Sequence, residues 1–273
     1  MQNLSRNAPI GVFDSGIGGL TVVRAIRKQL PEENLIYFGD TAHLPYGDKS
    51  GTSIRRYSLK ISDLLLYRDC KAIVIACNTA SSLAFKKVKQ HLGKQALVFN
   101  VIDPATEYVC DNYDNCEVGV IGTKGTIGSR TYANRIKKGN HTLKVRSKST
   151  PLLAPMIEEG FFNNNISRTI IQSYLNKKWC ENMRAMILAC THYPLIKNEI
   201  REALENKIKL VDSAQCVSEK LYNELMKNDL HLKNNENPYE RFYVSDLTNT
   251  FKESAKLYFG KKIELEELRI WDE

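Results

Sequence analysis

Apolar positions along this chain gather into short unbroken runs, separated by stretches in which they recur at helical spacing. Two of the runs are near copies. One reads Ile73-Val-Ile-Ala-Cys77-Asn-Thr-Ala80 and the other Met186-Ile-Leu-Ala-Cys190-Thr-His-Tyr193. In each, a cysteine closes the run, which begins at Ala72 in the first copy and Ala185 in the second. A run of this kind between polar residues predicts a strand buried on both faces of a parallel sheet. Both thiols are then expected at the carboxyl ends of central strands, where open α/β sheets bind ligands.

The first half alternates strand and helix patterns. Strands are predicted at Ile10–Phe13, Leu35–Phe38, Ala72–Ala76 and Leu97–Val101. Helices are predicted over Leu20–Leu30, which stops before Pro31, and over Ile54–Tyr67 and Thr79–His91. Asp14-Ser-Gly-Ile-Gly-Gly19 forms a glycine-rich turn, and Thr41 to Gly47 a loop. Such alternation implies right-handed βαβ crossovers and a parallel sheet. The pattern restarts at Val118-Gly-Val-Ile121, followed by Gly122-Thr-Lys-Gly-Thr126, much as Ile10-Gly-Val-Phe13 is followed by its turn. Gly11 to Gly119 spans nearly the same distance as Cys77 to Cys190, so the second half reads as a repeat with a few inserted residues. Asp212-Ser-Ala then opens a helix, Phe242-Tyr-Val244 is a strand, and Phe251 to Tyr258 a further helix. Lys227 to Glu240 is polar and reads as a surface loop.

The expected fold is therefore α/β, with two pseudosymmetric domains, each a mainly parallel sheet flanked by helices. The first spans 1–101 plus 212–273 and the second 102–211. The loops of Asp14 and Cys77 are expected to oppose those of Thr123 and Cys190, with the active site in the interdomain cleft.

Composition narrows the picture. The 273 residues are 42% hydrophobic and 26% charged, as in soluble globular proteins. No apolar run approaches the length of a membrane span, and the N-terminus lacks an apolar signal core, so a cytoplasmic protein with no membrane partner is expected. The net charge is +8, but lysines occur in short scattered clusters such as Lys86-Lys87 and Lys137-Lys138, which read as solvated helix faces. No nucleic-acid motif accompanies them. There are seven cysteines, an odd count without a Cys-x-x-Cys pair, which argues for reduced thiols over a disulfide framework.

A thiol is a weak base at neutral pH unless its thiolate is stabilised, as at a helix N-terminus. Asn78 and Thr79 after Cys77, and Thr191 after Cys190, are suitable cap residues. His192, two residues beyond Cys190, can exchange a proton with that thiol, and Asp14 can serve Cys77. Other readings remain. A nucleophilic cysteine hydrolase built on Cys190 and His192 leaves Cys77 unexplained. A zinc site from Cys77, Cys190 and His192 lacks a close ligand pair. Taken singly, either cysteine is better explained by core packing, and it is the matched Ala-Cys-(Asn/Thr) context that turns the balance toward chemistry. Asp14 to Gly19 is not a dinucleotide fingerprint, because Thr21 stands where its last glycine belongs. His43, His91 and His141 carry no motif. Pro45-Tyr46-Gly47 fits a simple turn or a substrate loop, and Glu158-Glu159 fits a solvated helix start.

Taken together, the motifs resemble the cofactor-independent glutamate racemases of the aspartate/glutamate racemase superfamily. The matching pieces are Asp14-Ser-Gly-Ile-Gly-Gly19, Pro45-Tyr-Gly47, Ala76-Cys-Asn-Thr-Ala80, Gly122-Thr-Lys-Gly-Thr126, Ala189-Cys-Thr-His-Tyr-Pro194, Asp212-Ser-Ala214 and Phe242-Tyr-Val-Ser-Asp246. The resemblance implies interconversion of L- and D-glutamate without metal or pyridoxal phosphate, supplying D-glutamate for peptidoglycan. It implies Cys77 and Cys190 as acid/base thiols, the first acting on D-glutamate and the second on L-glutamate, assisted by Asp14 and His192. Ser15, Pro45, Tyr46, Gly47, Asn78, Thr79 and Thr191 are implied in substrate binding, with Thr123 and Thr126 bordering the site. Glu158 matches a cleft glutamate of the family, and a homodimer is the assembly the family often forms. The segment Ser147-Lys-Ser-Thr-Pro-Leu-Leu departs from the family pattern, which often has a cysteine before the proline.

Overall fold

The computed structural model describes residues 4–271. Among the described residues ten strands form two sheets: β1 Ile10–Asp14, β2 Leu35–Gly39, β3 Ala72–Ile75, β4 Leu97–Asn100, β5 Glu117–Gly122, β6 Lys144–Ser149, β7 Met183–Ala189, β8 Lys209–Asp212, β9 Glu240–Val244 and β10 Leu265–Glu267. The chain divides into two compact units, one holding the residues up to Val101 and those from Ala214 on, the other Ile102–Ser213. The first sheet has the order β10-β9-β2-β1-β3-β4 and the second β6-β5-β7-β8, and every strand pair is parallel. Helices connect the strands in each unit, so the architecture is α/β.

The repeat is visible in the topology. The order β2-β1-β3-β4 of the first sheet recurs as β6-β5-β7-β8 in the second, and β9 and β10 extend the first sheet alone. The runs ending in Cys77 and Cys190 supply β3 and β7, which occupy the same interior place in the two sheets. β1, β2 and β3 are buried along their whole length, which explains why their sequences are almost wholly apolar up to Asp14 at the end of β1. The helix Leu20–Gln29 packs Leu20, Val22, Val23 and Ile26 inward.

Four expectations need correction. The helix expected over Thr79–His91 is two helices, Asn78–Leu83 and Phe85–Leu92, separated at Ala84 (φ −118°, ψ −22°). The change of direction at this buried alanine lets Ala80, Val88 and Leu92 all join one core cluster. The helix read at Asp212-Ser-Ala opens at Ser213, directly after Asp212 ends β8 paired with Leu188, but the chain leaves the second unit after Ser213, two residues later than expected. Lys227 to Glu240 is not a wholly exposed loop. Lys227 ends a helix, Glu240 begins β9, and Leu230 and Leu232 between them are buried. The helix that carries Glu158 ends at that residue instead of starting there. Among the described residues no helix is long and apolar enough to cross a membrane.

Candidate active site

In the first unit β1 delivers Asp14 to its carboxyl end, where the side chain is fully buried. The glycine-rich turn folds back over it, and Asp14 Oδ2 accepts the amide hydrogens of Gly16 (3.2 Å) and Gly19 (2.9 Å). The turn needs its glycine at 19, where a Cβ would lie 2.4 Å from Asp14 Cβ. Gly39, at the end of β2, is equally constrained, with Gly16 O 2.2 Å from the place of a Cβ. Tyr37 donates its hydroxyl to Gly16 O (2.6 Å). Burial, then the nearby Asp14 and Cys77, push Tyr37 well above the usual tyrosine range, so it stays a donor.

Cys77 follows β3 and is 5% exposed. The thiol itself caps the next helix, which corrects the expectation that Asn78 or Thr79 would: Cys77 has extended dihedrals (φ −63°, ψ 120°), and Sγ accepts the amide hydrogen of Ala80 at 3.5 Å. Asn78 and Thr79 already lie in the first turn and are buried. An amide donor on sulfur favours the thiolate over the thiol. The turn Tyr46–Asp48 packs against this helix, and Tyr46 shares a core cluster with Cys77. The Leu44-Pro45 peptide is cis. Tyr46 is buried and donates its hydroxyl to Asp40 Oδ2 at 2.6 Å, whereas Pro45 is exposed and Ser15 and Gly47 are half-buried.

In the second unit Thr123 follows β5 and caps the short helix Lys124–Gly128. Its Oγ1 accepts the Thr126 amide hydrogen (3.2 Å) and donates to Thr126 Oγ1 (3.1 Å). Cys190 follows β7 and is 6% exposed. No α-helix starts here, contrary to the expectation that Thr191 would cap one. The chain makes a tight turn, with the Tyr193 amide bonded to Cys190 O (3.2 Å), and enters a 3₁₀ turn over Tyr193–Ile196 that contains Pro194. The thiol faces an imidazole instead: Cys190 Sγ lies 3.6 Å from His192 Nδ1, and His192 Nε2 lies 2.8 Å from Glu158 Oε1. Glu158 and Glu159 are thereby told apart, since Glu158 is half-buried against the histidine and Glu159 is exposed. The carboxylate is near enough to pair with a protonated imidazole, and Nδ1 is the ring nitrogen beside the sulfur. Thr191 and His192 are both buried.

The two thiols thus have the same place in the sheet order and different partners. Counting from each cysteine, His192 corresponds to Thr79. Counting along the first strand of each unit, Asp14 corresponds to Gly122. The first unit brings Asp14, Ser15, Tyr46, Gly47, Cys77, Asn78 and Thr79 to the carboxyl ends of β1, β2 and β3. The second brings Thr123, Thr126, Cys190, Thr191 and His192 to those of β5 and β7, with Glu158 in the connection after β6. Two polar residues missed by the sequence reading stand out. Asp40, just after β2, is fully buried, and Trp271 donates Nε1–H to it at 2.8 Å. The sequence signal for Asp40 was its place directly after a buried strand. Trp271 gave none. Among the described residues no three His, Cys, Asp or Glu side chains are grouped so as to hold a metal ion.

Comparison with known proteins places these features in context. A family model described as Asp/Glu/Hydantoin racemase matches residues 10–221. Glutamate racemase of Neisseria meningitidis serogroup A is 42% identical over 265 residues, 97% of each chain. The crystal structure of glutamate racemase from Francisella tularensis in complex with D-glutamate superposes with a TM-score of 0.89 at 40% identity, covering 96% of this chain and 98% of that one. A glutamate racemase isoform from Bacillus anthracis gives a TM-score of 0.92 at 30% identity, with 97% and 98% covered.

Proposed function

The chain belongs to the Asp/Glu/Hydantoin racemase family, and on that premise we propose that it inverts Cα of glutamate by two-base proton transfer between Cys77 and Cys190. It is an isomerase that interconverts the enantiomers of glutamate, as its relatives' names describe. The observation that carries the two-thiol mechanism is that Cys77 and Cys190 end equivalent interior strands in two sheets of the same order, each with its sulfur beside a polar partner.

Inversion removes a proton from one face of Cα and returns one to the other, so a single base is insufficient. In one direction the Cys77 thiolate takes the α-proton of D-glutamate and the Cys190 thiol protonates the opposite face. In the other direction the roles exchange. Each turnover leaves the pair with its protonation states swapped. His192 Nδ1 accepts the Cys190 proton, and the Glu158 carboxylate supports the imidazolium that results. Asp14, anchored by the turn amides, assists Cys77. The carbanionic transition state needs hydrogen-bond donors arranged in advance. Ser15, the 45–47 loop, Asn78, Thr79, Thr123, Thr126 and Thr191 are proposed to supply them and to bind the substrate carboxylates. The proposed biological role is supply of D-glutamate for peptidoglycan.

Circular dichroism of L-glutamate incubated with the purified protein should decay to zero, and in D2O deuterium should enter at Cα of either enantiomer. A folded protein that does neither refutes the reading. His192→Ala is expected to lower kcat about 100-fold with KM nearly unchanged. Glu158→Gln should act in the same direction by a smaller factor, because it perturbs Cys190 only through the imidazole. A change confined to KM in either variant would remove that residue from the proton path.

A further inference from the structure

We propose that Asp40 is a positioning residue for the substrate loop at 41–47, and that the segment 268–271 is a strap that holds it in place. The inference rests on the reading of residues 45–47 as substrate-binding.

Asp40 is fully buried, and a buried carboxylate is costly unless donors surround it. Four converge on it. Tyr46 Oη donates to Oδ2 at 2.6 Å, and His43 Nδ1 lies 3.0 Å and 3.1 Å from the two oxygens. Ser245 Oγ donates to Oδ1 at 3.0 Å, and Trp271 Nε1 does so at 2.8 Å. The first two donors belong to the loop itself. The other two come from the segments that follow β9 and β10, far away in sequence. Main-chain amides tie the same segments together: Ser245 N donates to Gly39 O (2.9 Å), Asp246 N to the Thr41 hydroxyl Oγ1 (2.9 Å), and Ala42 N to the Ser245 hydroxyl Oγ (2.9 Å).

The strap is fitted to the loop. The Leu268 amide bonds to Val244 O (2.8 Å) as the chain leaves β10. Leu268 and Ile270 pack on the core cluster that contains Tyr46 and Cys77. The Trp271 ring meets His43 and Tyr57 edge-on, at centroid distances of 4.6 Å and 5.3 Å, while His43 stacks on Tyr57 at 4.0 Å. Lys60 Nζ sits 5.5 Å from the Trp271 ring centroid. The Tyr46 hydroxyl, committed to Asp40, holds the loop rather than the ligand, which leaves the main chain of residues 46–47 to face glutamate. Loosening this cluster should therefore weaken substrate binding and spare the thiol chemistry.

Trp271→Phe keeps an aromatic ring and deletes only the donor. It is expected to raise KM for both enantiomers about fivefold while kcat stays within about twofold. Asp40→Asn should raise KM further with the same split. Steady-state kinetics in both directions, with thermal unfolding of each variant, reads the result. Unchanged KM in Trp271→Phe overturns the proposal, as does a loss of active protein and of thermal stability at parental KM, which marks a packing role only. If Asp40→Asn does not fold, Trp271→Phe still decides. Gly47→Val, which adds bulk to the loop directly, separates the two layers. A raised KM there with parental KM in Trp271→Phe removes the strap alone. Parental KM in Gly47→Val removes the loop reading on which it rests.

Discussion

Replacing Cys77 by serine should lower racemisation in both directions by about 1000-fold or more, and replacing Cys190 by serine should do the same. A hydroxyl is far too weak an acid to form a useful base in the place of a thiol, and each turnover needs one group on each face of Cα. Loss of either therefore stops both directions, even though each thiol meets a different enantiomer first. The substitution is nearly isosteric at two sites only 5% and 6% exposed, so folding should survive. Serine at 77 can accept the Ala80 amide hydrogen in place of sulfur. Residual deuterium uptake is expected to be one-sided: on L-glutamate in Cys77→Ser, where the Cys190–His192 pair remains, and on D-glutamate in Cys190→Ser. If both cysteines were only core residues, the variants would turn over normally and differ from the parent in stability alone. Polarimetry from each enantiomer, proton NMR in D2O and a melting curve distinguish these outcomes for each residue separately.

The parts of the molecule that were legible in sequence are those whose cause is local. β1, β2 and β3 are buried on both faces, so up to Asp14 at the end of β1 they carry no polar side chain but the Tyr37 hydroxyl, and they mark strands directly. The repeat survived as paired glycines and cysteines because those positions have tight steric or chemical demands. Asp14 was legible because its turn needs glycine where the loop crosses the carboxylate. β6 was not read: it is an edge strand, Lys144-Val-Arg-Ser-Lys-Ser149, paired on one side only and half-exposed, so its sequence carries no apolar signature. The partner of Cys190 was legible as His192, two residues away, but the wrong capping pattern was inferred, because Pro194 diverts the chain into a 3₁₀ turn where the first copy enters an α-helix. Asp40 was missed because two of its donors, Ser245 and Trp271, come from other segments 205 and 231 residues distant. Periodicity reports what a residue's own element needs, not what converges on it from elsewhere.

Glu33→Ala is expected to destabilise the first unit by about 3–5 kcal/mol, lowering the melting temperature by about 10 °C, without altering the catalytic groups. Lys71 and Glu33 are both fully buried, with Nζ 2.6 Å from Oε2. The lysine precedes β3 at its amino end, the opposite end from Cys77, and also donates to the carbonyls of Arg6 (2.5 Å) and Leu230 (2.9 Å). Glu33 Oε1 accepts the Leu232 amide hydrogen at 2.8 Å. This pair thus anchors the segment that precedes β1 and the segment that leads into β9, which is why a stretch that reads as a polar loop carries two buried leucines. Burial lowers the Lys71 pKa, and the bond and charge of Glu33 oppose that shift. Alanine at 33 removes the opposition and leaves an ammonium without its counter-ion, so the folded-state pKa falls further. The sign follows. Below the variant's lowered pKa the folded chain holds an unpaired charge and the deficit is full. As pH rises from that pKa to the parent's, the variant's lysine loses its proton in the fold while the parent's keeps it, and the deficit shrinks. Denaturant melts of both proteins, repeated at stepwise higher pH, should show that narrowing. Replacing both residues, Glu33→Leu with Lys71→Met, should recover most of the loss, since an apolar pair of similar volume carries no unpaired charge. A Glu33→Ala protein as stable as the parent at neutral pH, or a double variant no better than the single, would mean that the ion pair is not what holds these segments to the sheet.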